Sequence, residues 1–293
     1  MDRGQMVAII GAALEGVEVR RATFDEGGQN NIIVMVNDEW VFRFPKYREA
    51  VLEARREYEV LDRIADRFEL PVPVARYRSL DSDQVGQVFV GYRLIPGRPL
   101  TRELLQACRE PHVIAAQLGG FLHQLHSVRR IELQGLGLTD CDTYERWSML
   151  HQRIVARLYP HMSDAMRQEV ERSFECFLAV VSHNAVPVRL IHGDLGPGNI
   201  LYDQDRNRVT GIIDFSSISW GDPATDIAAL ALGPFGLGMD FLEDLLTAYP
   251  MGKSDLVRAR FYASTFPLQY ALFGIEQNDP NAVRDGLANY RAP

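Results

Sequence analysis

The sequence predicts an α+β protein of two lobes, the first strand-rich and the second helical. Strand-type alternation is concentrated in the first hundred residues, and helical spacing of apolar residues runs through most of the remaining chain. A Pro96-Gly97 pair separates the two regions. The chain has 293 residues, 46% of them hydrophobic and 24% charged, which suits one or two ordinary globular lobes.

Ile32, Val34 and Val36 alternate with Ile33 and Met35, Asn37-Asp38 supplies a turn, and Trp40 to Phe44 alternates again. This reads as a β-hairpin ended by Pro45. Period two puts Val41 and Arg43 on one strand face, with Trp40, Phe42 and Phe44 on the other. Gly27-Gly28 is taken to precede the first strand. Residues 48–67 read as the one helix of the first hundred residues, with Leu52, Tyr58, Leu61 and Ile64 roughly on one face, ended by Pro71 and Pro73. Residues 86–95 return to strand character. Beyond them, helices are expected over 111–127, 143–159 and 163–183. Short strands at 188–191, 200–202 and 209–213 flank a loop at 192–198, and helices resume near Pro223. The expected division is a first lobe over 1–95, a connector near 92–98, and a second lobe over 99–293.

The formal charge of −8 argues against a nucleic-acid partner, which needs a basic surface to displace counterions, and it is compatible with a cationic ligand. Cys108, Cys141 and Cys176 have neither zinc nor disulfide spacing, as expected of reduced thiols in a cytoplasmic protein. No secretory leader pattern is present, and no apolar run approaches the ~20 residues that cross a bilayer. With no coiled-coil pattern and no exposed apolar stripe, a monomer is expected.

The chemistry is concentrated in His192-Gly193-Asp194-Leu195-Gly196-Pro197-Gly198-Asn199, followed fourteen residues after the Asn by Ile213-Asp214-Phe215. Gly, Pro, Asn and Asp also make plain turns, but five-residue spacing from Asp to Asn after an apolar strand is the kinase catalytic-loop pattern. Phosphoryl transfer needs a carboxylate to orient an attacking hydroxyl and accept its proton. It also needs oxygen ligands for a Mg²⁺ that bridges the nucleotide phosphates. Asp194 fits the first role, and Asn199 with Asp214 fits the second.

These segments resemble the aminoglycoside phosphotransferase (antibiotic kinase) superfamily, in which H-G-D-x-x-x-x-N and I-D-F/W have those roles. The resemblance extends to Asp25-Glu26-Gly27-Gly28-Gln29-Asn30-Asn31, to Val41-Phe42-Arg43-Phe44-Pro45-Lys46 and to Gly221-Asp222-Pro223-Ala224-Thr225-Asp226. The F-R-F-P-K run and Phe273 to Asp279 are most similar to the 2''-phosphotransferase branch.

The resemblance implies a protein-kinase-like two-lobed fold, Mg²⁺, and GTP or ATP as phosphate donor. On the nucleotide side it implies Gly28 near the phosphates and Arg43, with Lys46 as the alternative, in contact with them, supported by Glu57. It implies Tyr92 as gatekeeper and Leu94 in a hinge that meets the purine, and a bulky gatekeeper suggests that GTP serves at least as well as ATP. His192 and Asp226 are expected to hold the loop's shape, and Asp222 to cap a helix. The acceptor is expected to be a cationic aminoglycoside held by Asp194, Asp240 and Glu276.

One departure concerns that acceptor. Residues 233–238 read Gly-Pro-Phe-Gly-Leu-Gly where the branch tends to carry acidic residues. A kinase of a macrolide, choline, homoserine or a sugar is therefore the alternative, and a nucleotide-binding protein without activity is a more distant one. A protein kinase is disfavoured, since Ser216 follows Asp214-Phe215 and no A-P-E segment occurs.

Overall fold

The computed structural model describes residues 2–14, 17–28, 30–183 and 185–293; Gln29 of the Gly-Gly-Gln-Asn-Asn run lies outside the described residues. The first lobe contains helix α1 (Arg3–Ala13), strands β1 (Ala22–Asp25), β2 (Asn31–Val36) and β3 (Trp40–Pro45), helix α2 (Arg48–Ile64), and strands β4 (Tyr77–Ser79) and β5 (Phe89–Arg93). The strands form one antiparallel sheet in the order β1-β2-β3-β5-β4. Glu39 N–H closes the β2–β3 turn on Val36 O at 3.0 Å. Asn37 and Asp38 within it have φ of 54° and 56°, the mirror-image turn whose twist matches a hairpin.

Alternation along β3 decides what the sheet does. Trp40, Phe42 and Phe44 pack with Met6, Ile10 and Leu14 on the outer face, while Val41 faces the core beneath α2. The structure corrects three expectations in this lobe. Helix α1 adds a second helix to it; Met6-Val-Ala-Ile-Ile-Gly-Ala-Ala is apolar all round and shows no stripe in the sequence. Gly27-Gly28 lies between two strands, since β1 pairs with β2 ahead of it. Leu52 is 43% exposed; Val51, Ala54, Tyr58, Leu61 and Ile64 make the inner face of α2, and the 100° step per residue turns Leu52 outward.

The second lobe begins with β6 (Arg98–Pro99), α3 (Arg102–Gln106), α4 (Pro111–His126), α5 (Thr143–Arg157) and α6 (Asp164–His183). Strands β7 (Arg189–Ile191), β8 (Ile200–Asp203), β9 (Arg208–Ile212) and β10 (Ser219–Gly221) come next, then helices α7 (Ala224–Ile227), α8 (Met239–Ala248), α9 (Lys253–Glu276) and α10 (Pro280–Asn289). Two small sheets, β6-β8-β9 and β7-β10, lie among the helices. Trp147 of α5 stacks on Tyr262 at 4.6 Å, and Phe177 of α6 stacks on Phe261 at 3.8 Å. Asp222 caps α7 through Ala224 N–H at 3.1 Å and binds Arg258 Nε at 2.6 Å, which fixes α7 to α9. The chain continues from α7 into a π-helical turn, Ala228–Leu232, closed by Gly233 N–H on Ala228 O at 2.9 Å. No helix among the described residues is long and apolar enough to cross a membrane.

Candidate active site

Strand β7 ends at Ile191 and β8 begins at Ile200, so both ends of the 192–199 loop are held by sheet. Gly193 has φ of 82°, and a Cβ there would sit 2.4 Å from Ser217 O, so no other residue fits. Asp226, fully buried on α7, accepts hydrogen bonds from His192 N–H at 3.0 Å and Gly193 N–H at 2.9 Å. His126 Nε2 lies 3.0 Å from the same carboxylate, and its Nδ1 lies 2.6 Å from the Tyr249 hydroxyl. Burial alone would raise the Asp226 carboxyl. The His126 hydrogen bond and charge, His192 and the Gly193 N–H outweigh it and hold the group below the usual carboxylate range. His192 is buried, with Nε2 3.1 Å from Ile213 O and its ring 4.6 Å from that of Phe215. No local sequence pattern points to His126, because its partners lie a hundred or more residues away.

Asn199 donates through Nδ2 to Asp194 O at 2.8 Å and to Asp194 Oδ2 at 3.2 Å. That leaves its amide oxygen for a cation. Asp214 has φ of 62° and accepts from Arg43 Nη2 at 3.2 Å. Burial pushes the Asp194 carboxyl up and the Asp214 charge adds to it, while His192 and the Asn199 hydrogen bond pull it partly back. The same burial acts on Asp214, but Arg43 and a hydrogen bond from Ser216 prevail and hold it below the usual range. Asp194, Asn199 and Asp214 line one cavity of about 480 Å³ together with Gly28, Arg43 and Tyr92. The hard oxygens of Asn199 and Asp214 fit Mg²⁺, which takes one or two protein ligands and completes its shell with phosphate and water.

Arg43 and Lys46 have different partners. Arg43 is buried on β3 and reaches Glu57 Oε1 at 2.8 Å as well as Asp214. Lys46 instead donates to Glu26 O at 2.6 Å and Gly28 O at 2.5 Å, pinning the β1–β2 loop. Glu57 Oε1 also accepts from Phe215 N–H at 3.1 Å. Burial pushes the Glu57 carboxyl up against the pull of Arg43. Tyr92 is buried on β5 with its ring 6.3 Å from that of Tyr58, and burial pushes its hydroxyl up to about 12. Leu94 does not line the cavity, and its N–H is committed to Glu39 O at 2.8 Å. Asn31 does line it, a placement that sequence pattern alone does not single out.

A second cavity, of about 440 Å³, opens on the other side of Asp194, which lines both. Asp240 and Glu276 do not line it: Asp240 is exposed in the first turn of α8, and Glu276 pairs with Arg153 at 2.6 Å. Periodicity cannot show which side of α8 or α9 faces the loop. The second carboxylate in this cavity is Asp285 of α10, and Pro234, Phe235, Phe266 and Tyr270 make up much of the wall.

The sequence profile described as the phosphotransferase enzyme family matches residues 21–262. Viomycin phosphotransferase of Streptomyces vinaceus is 27% identical over 268 residues, covering 88% of this chain and 89% of that protein. The solved GDP complex of wild-type aminoglycoside 2'-phosphotransferase-IIIa aligns with a TM-score of 0.87 at 22% identity, over 98% of this chain and 97% of that one. The macrolide 2'-phosphotransferase MphH from Brachybacterium faecium aligns with a TM-score of 0.70 at 21% identity, over 98% of each chain.

Proposed function

From its membership of the phosphotransferase enzyme family, to which this chain belongs, we propose that the protein transfers the γ-phosphate of a nucleoside triphosphate to a hydroxyl of an antibiotic and so confers resistance. The observation that carries this reading is the position of Asp194, which lines both cavities and stands beside Asn199 and Asp214 in one of them. In this reading Asp194 orients the acceptor hydroxyl and takes its proton as the oxygen attacks phosphorus. Asn199 and Asp214 hold Mg²⁺, which when bound neutralises charge on the phosphate oxygens. Arg43, oriented by Glu57, contacts the phosphates beneath the Gly28 loop. Asp226 and His192 keep the loop in shape.

The same reading divides the chain into a nucleotide-binding lobe over 1–95, a hinge near 92–98, and a catalytic and acceptor lobe over 99–293. It makes the enzyme a cytoplasmic monomer that uses ATP or GTP. With Tyr92 in the gatekeeper role, its buried ring would narrow the base pocket, and we expect GTP to serve at least as well as ATP.

An aminoglycoside modified at the 2'' position is one candidate acceptor, since solved enzymes named for that position share this architecture. A second reading, a less charged antibiotic such as a macrolide, is favoured by the aromatic wall and by the absence of Asp240 and Glu276 from the cavity. The test is Mg²⁺-dependent nucleotide turnover with ATP and with GTP across aminoglycosides, viomycin, a macrolide, choline and homoserine. Stimulation by one antibiotic class is expected. Stimulation by choline or homoserine alone would overturn the antibiotic assignment.

A further inference from the structure

Phe235 is 87% exposed, the most exposed large apolar side chain among the described residues, yet the turn that carries it is held from every side. Gly236 N–H closes the turn on Gly233 O at 2.8 Å, Leu237 N–H bonds Leu230 O at 2.9 Å, and Gly238 N–H bonds Ala231 O at 2.9 Å. Arg102, just past the first lobe, donates to Gly236 O through both Nε at 2.9 Å and Nη2 at 2.5 Å. A Cβ on Gly233 would sit 2.8 Å from the Phe266 ring, and one on Gly236 would sit 2.6 Å from the Ala231 backbone, so both glycines serve close packing. The turn springs from the π-helical stretch, a geometry often found at functional sites. An aromatic kept in water on a rigid mount, at the rim of a cavity that contains Asp194, has the character of a preorganised binding anchor.

The charges of this cavity point the same way. Among the described residues its carboxylates are Asp194 and Asp285, and Asp285 already faces Arg284 at 2.9 Å. A polyamine acceptor would leave most of its ammonium groups without a counter-charge here. Building on the phosphoryl-transfer reading, we propose that Phe235 binds the acceptor and sets its class. That class is a hydroxylated compound with a broad apolar face, which packs on Phe235 beside Phe266 and Tyr270, and with no more than one ammonium group.

The test measures steady-state phosphorylation of two acceptors, the monoamine macrolide erythromycin and the polyamine kanamycin, by wild type, Phe235→Ala, Phe235→Leu and Phe235→Asp. An 87% exposed side chain can be replaced without unfolding the protein. Erythromycin is expected to have the higher kcat/KM in wild type. Phe235→Ala should raise its KM about tenfold with kcat nearly unchanged, as for loss of an aromatic anchor, and Phe235→Leu should restore much of the loss. Phe235→Asp should shift preference toward kanamycin. A wild-type preference for kanamycin, or a KM for erythromycin indifferent to Phe235, overturns this proposal and leaves phosphoryl transfer standing. Transfer to neither compound also overturns it, and the wider acceptor panel then decides separately whether the phosphoryl-transfer reading holds.

Discussion

Arg43 Nη2 and Asp214 Oδ1 lie 3.2 Å apart, although 171 positions separate them in the chain. One sits on a sheet strand of the first lobe, the other just after β9 of the second, and Glu57 holds the arginine from behind at 2.8 Å. Arginine can reach two carboxylates at once because its nitrogens form a planar fork. Removing it would leave the Glu57 carboxylate, which is 0% exposed, without its counter-charge. Arg43→Ala is therefore expected to cost about 3–5 kcal/mol of stability, the usual penalty for breaking a buried pair. It should also raise the nucleotide KM strongly. Arg43→Lys should keep the charge and lose one of the two contacts, and Lys46→Ala should affect the nucleotide KM less than either. Denaturant melts and nucleotide KM values for the three variants check this order.

Asp194→Asn separates chemistry from binding. Loss of a general base is expected to lower kcat by about 10²–10⁴ with little change in nucleotide affinity. The variant should be at least as stable as wild type. The folded-state pKa of Asp194 is raised, so its ionised form opposes folding at neutral pH, and the amide relieves that. In wild type the acid limb of kcat/KM should lie above the ordinary aspartate value of about 3.9. A pH–rate profile and melting temperatures test both statements; wild-type kcat in Asp194→Asn would remove it as the base.

Asp226 has the opposite sign. Its folded-state pKa is depressed, so it contributes stability above the unfolded value, and that contribution is lost as pH falls through the folded one. Asp226→Asn should therefore lower stability at neutral pH and flatten the acid side of the stability curve relative to wild type. Asp226→Ala strips the acceptor from two loop N–H groups and should cost about 3 kcal/mol or more. Melting temperature against pH for wild type and Asp226→Asn is the measurement.

Arg102 holds the turn that carries Phe235 through one carbonyl oxygen, that of Gly236. Arg102→Ala should raise the acceptor KM by about five- to thirtyfold, as expected for loss of charge-assisted hydrogen bonds worth ~1–2 kcal/mol, while kcat and the nucleotide KM hold. Equal changes in all three parameters would mean a general loss of structure instead.

The features legible in the sequence have local causes. The β2–β3 hairpin, the helix after Pro45 and the Asp194-to-Asn199 loop each rest on spacing or turn chemistry confined to a few residues. Helix α1 is not legible because uniform apolarity carries no period, and Leu52 is misplaced because widely spaced leucines need not share a face. The choice between Arg43 and Lys46 turns on where each side chain ends, which depends on Glu57 and Asp214 arriving from other elements. Asp240 and Glu276 rest on segment likeness alone, whereas Asp285 enters the second cavity through the way α10 packs on α9. His126 becomes visible only through its long-range partners.

A single oxygen, Glu57 Oε1, accepts from both Arg43 Nη1 at 2.8 Å and the Phe215 N–H at 3.1 Å. Helix α2 is thereby fastened to the sheet and to the residue after Asp214. Swinging the helix outward would strand a buried anion and release Phe215 in the same movement. The two lobes are thus latched at rest, and the arrangement needs no external signal to assemble it. In the phosphotransferase reading, that latch couples the arginine meant for phosphate to the aspartate meant for metal, so that the two would shift as one body.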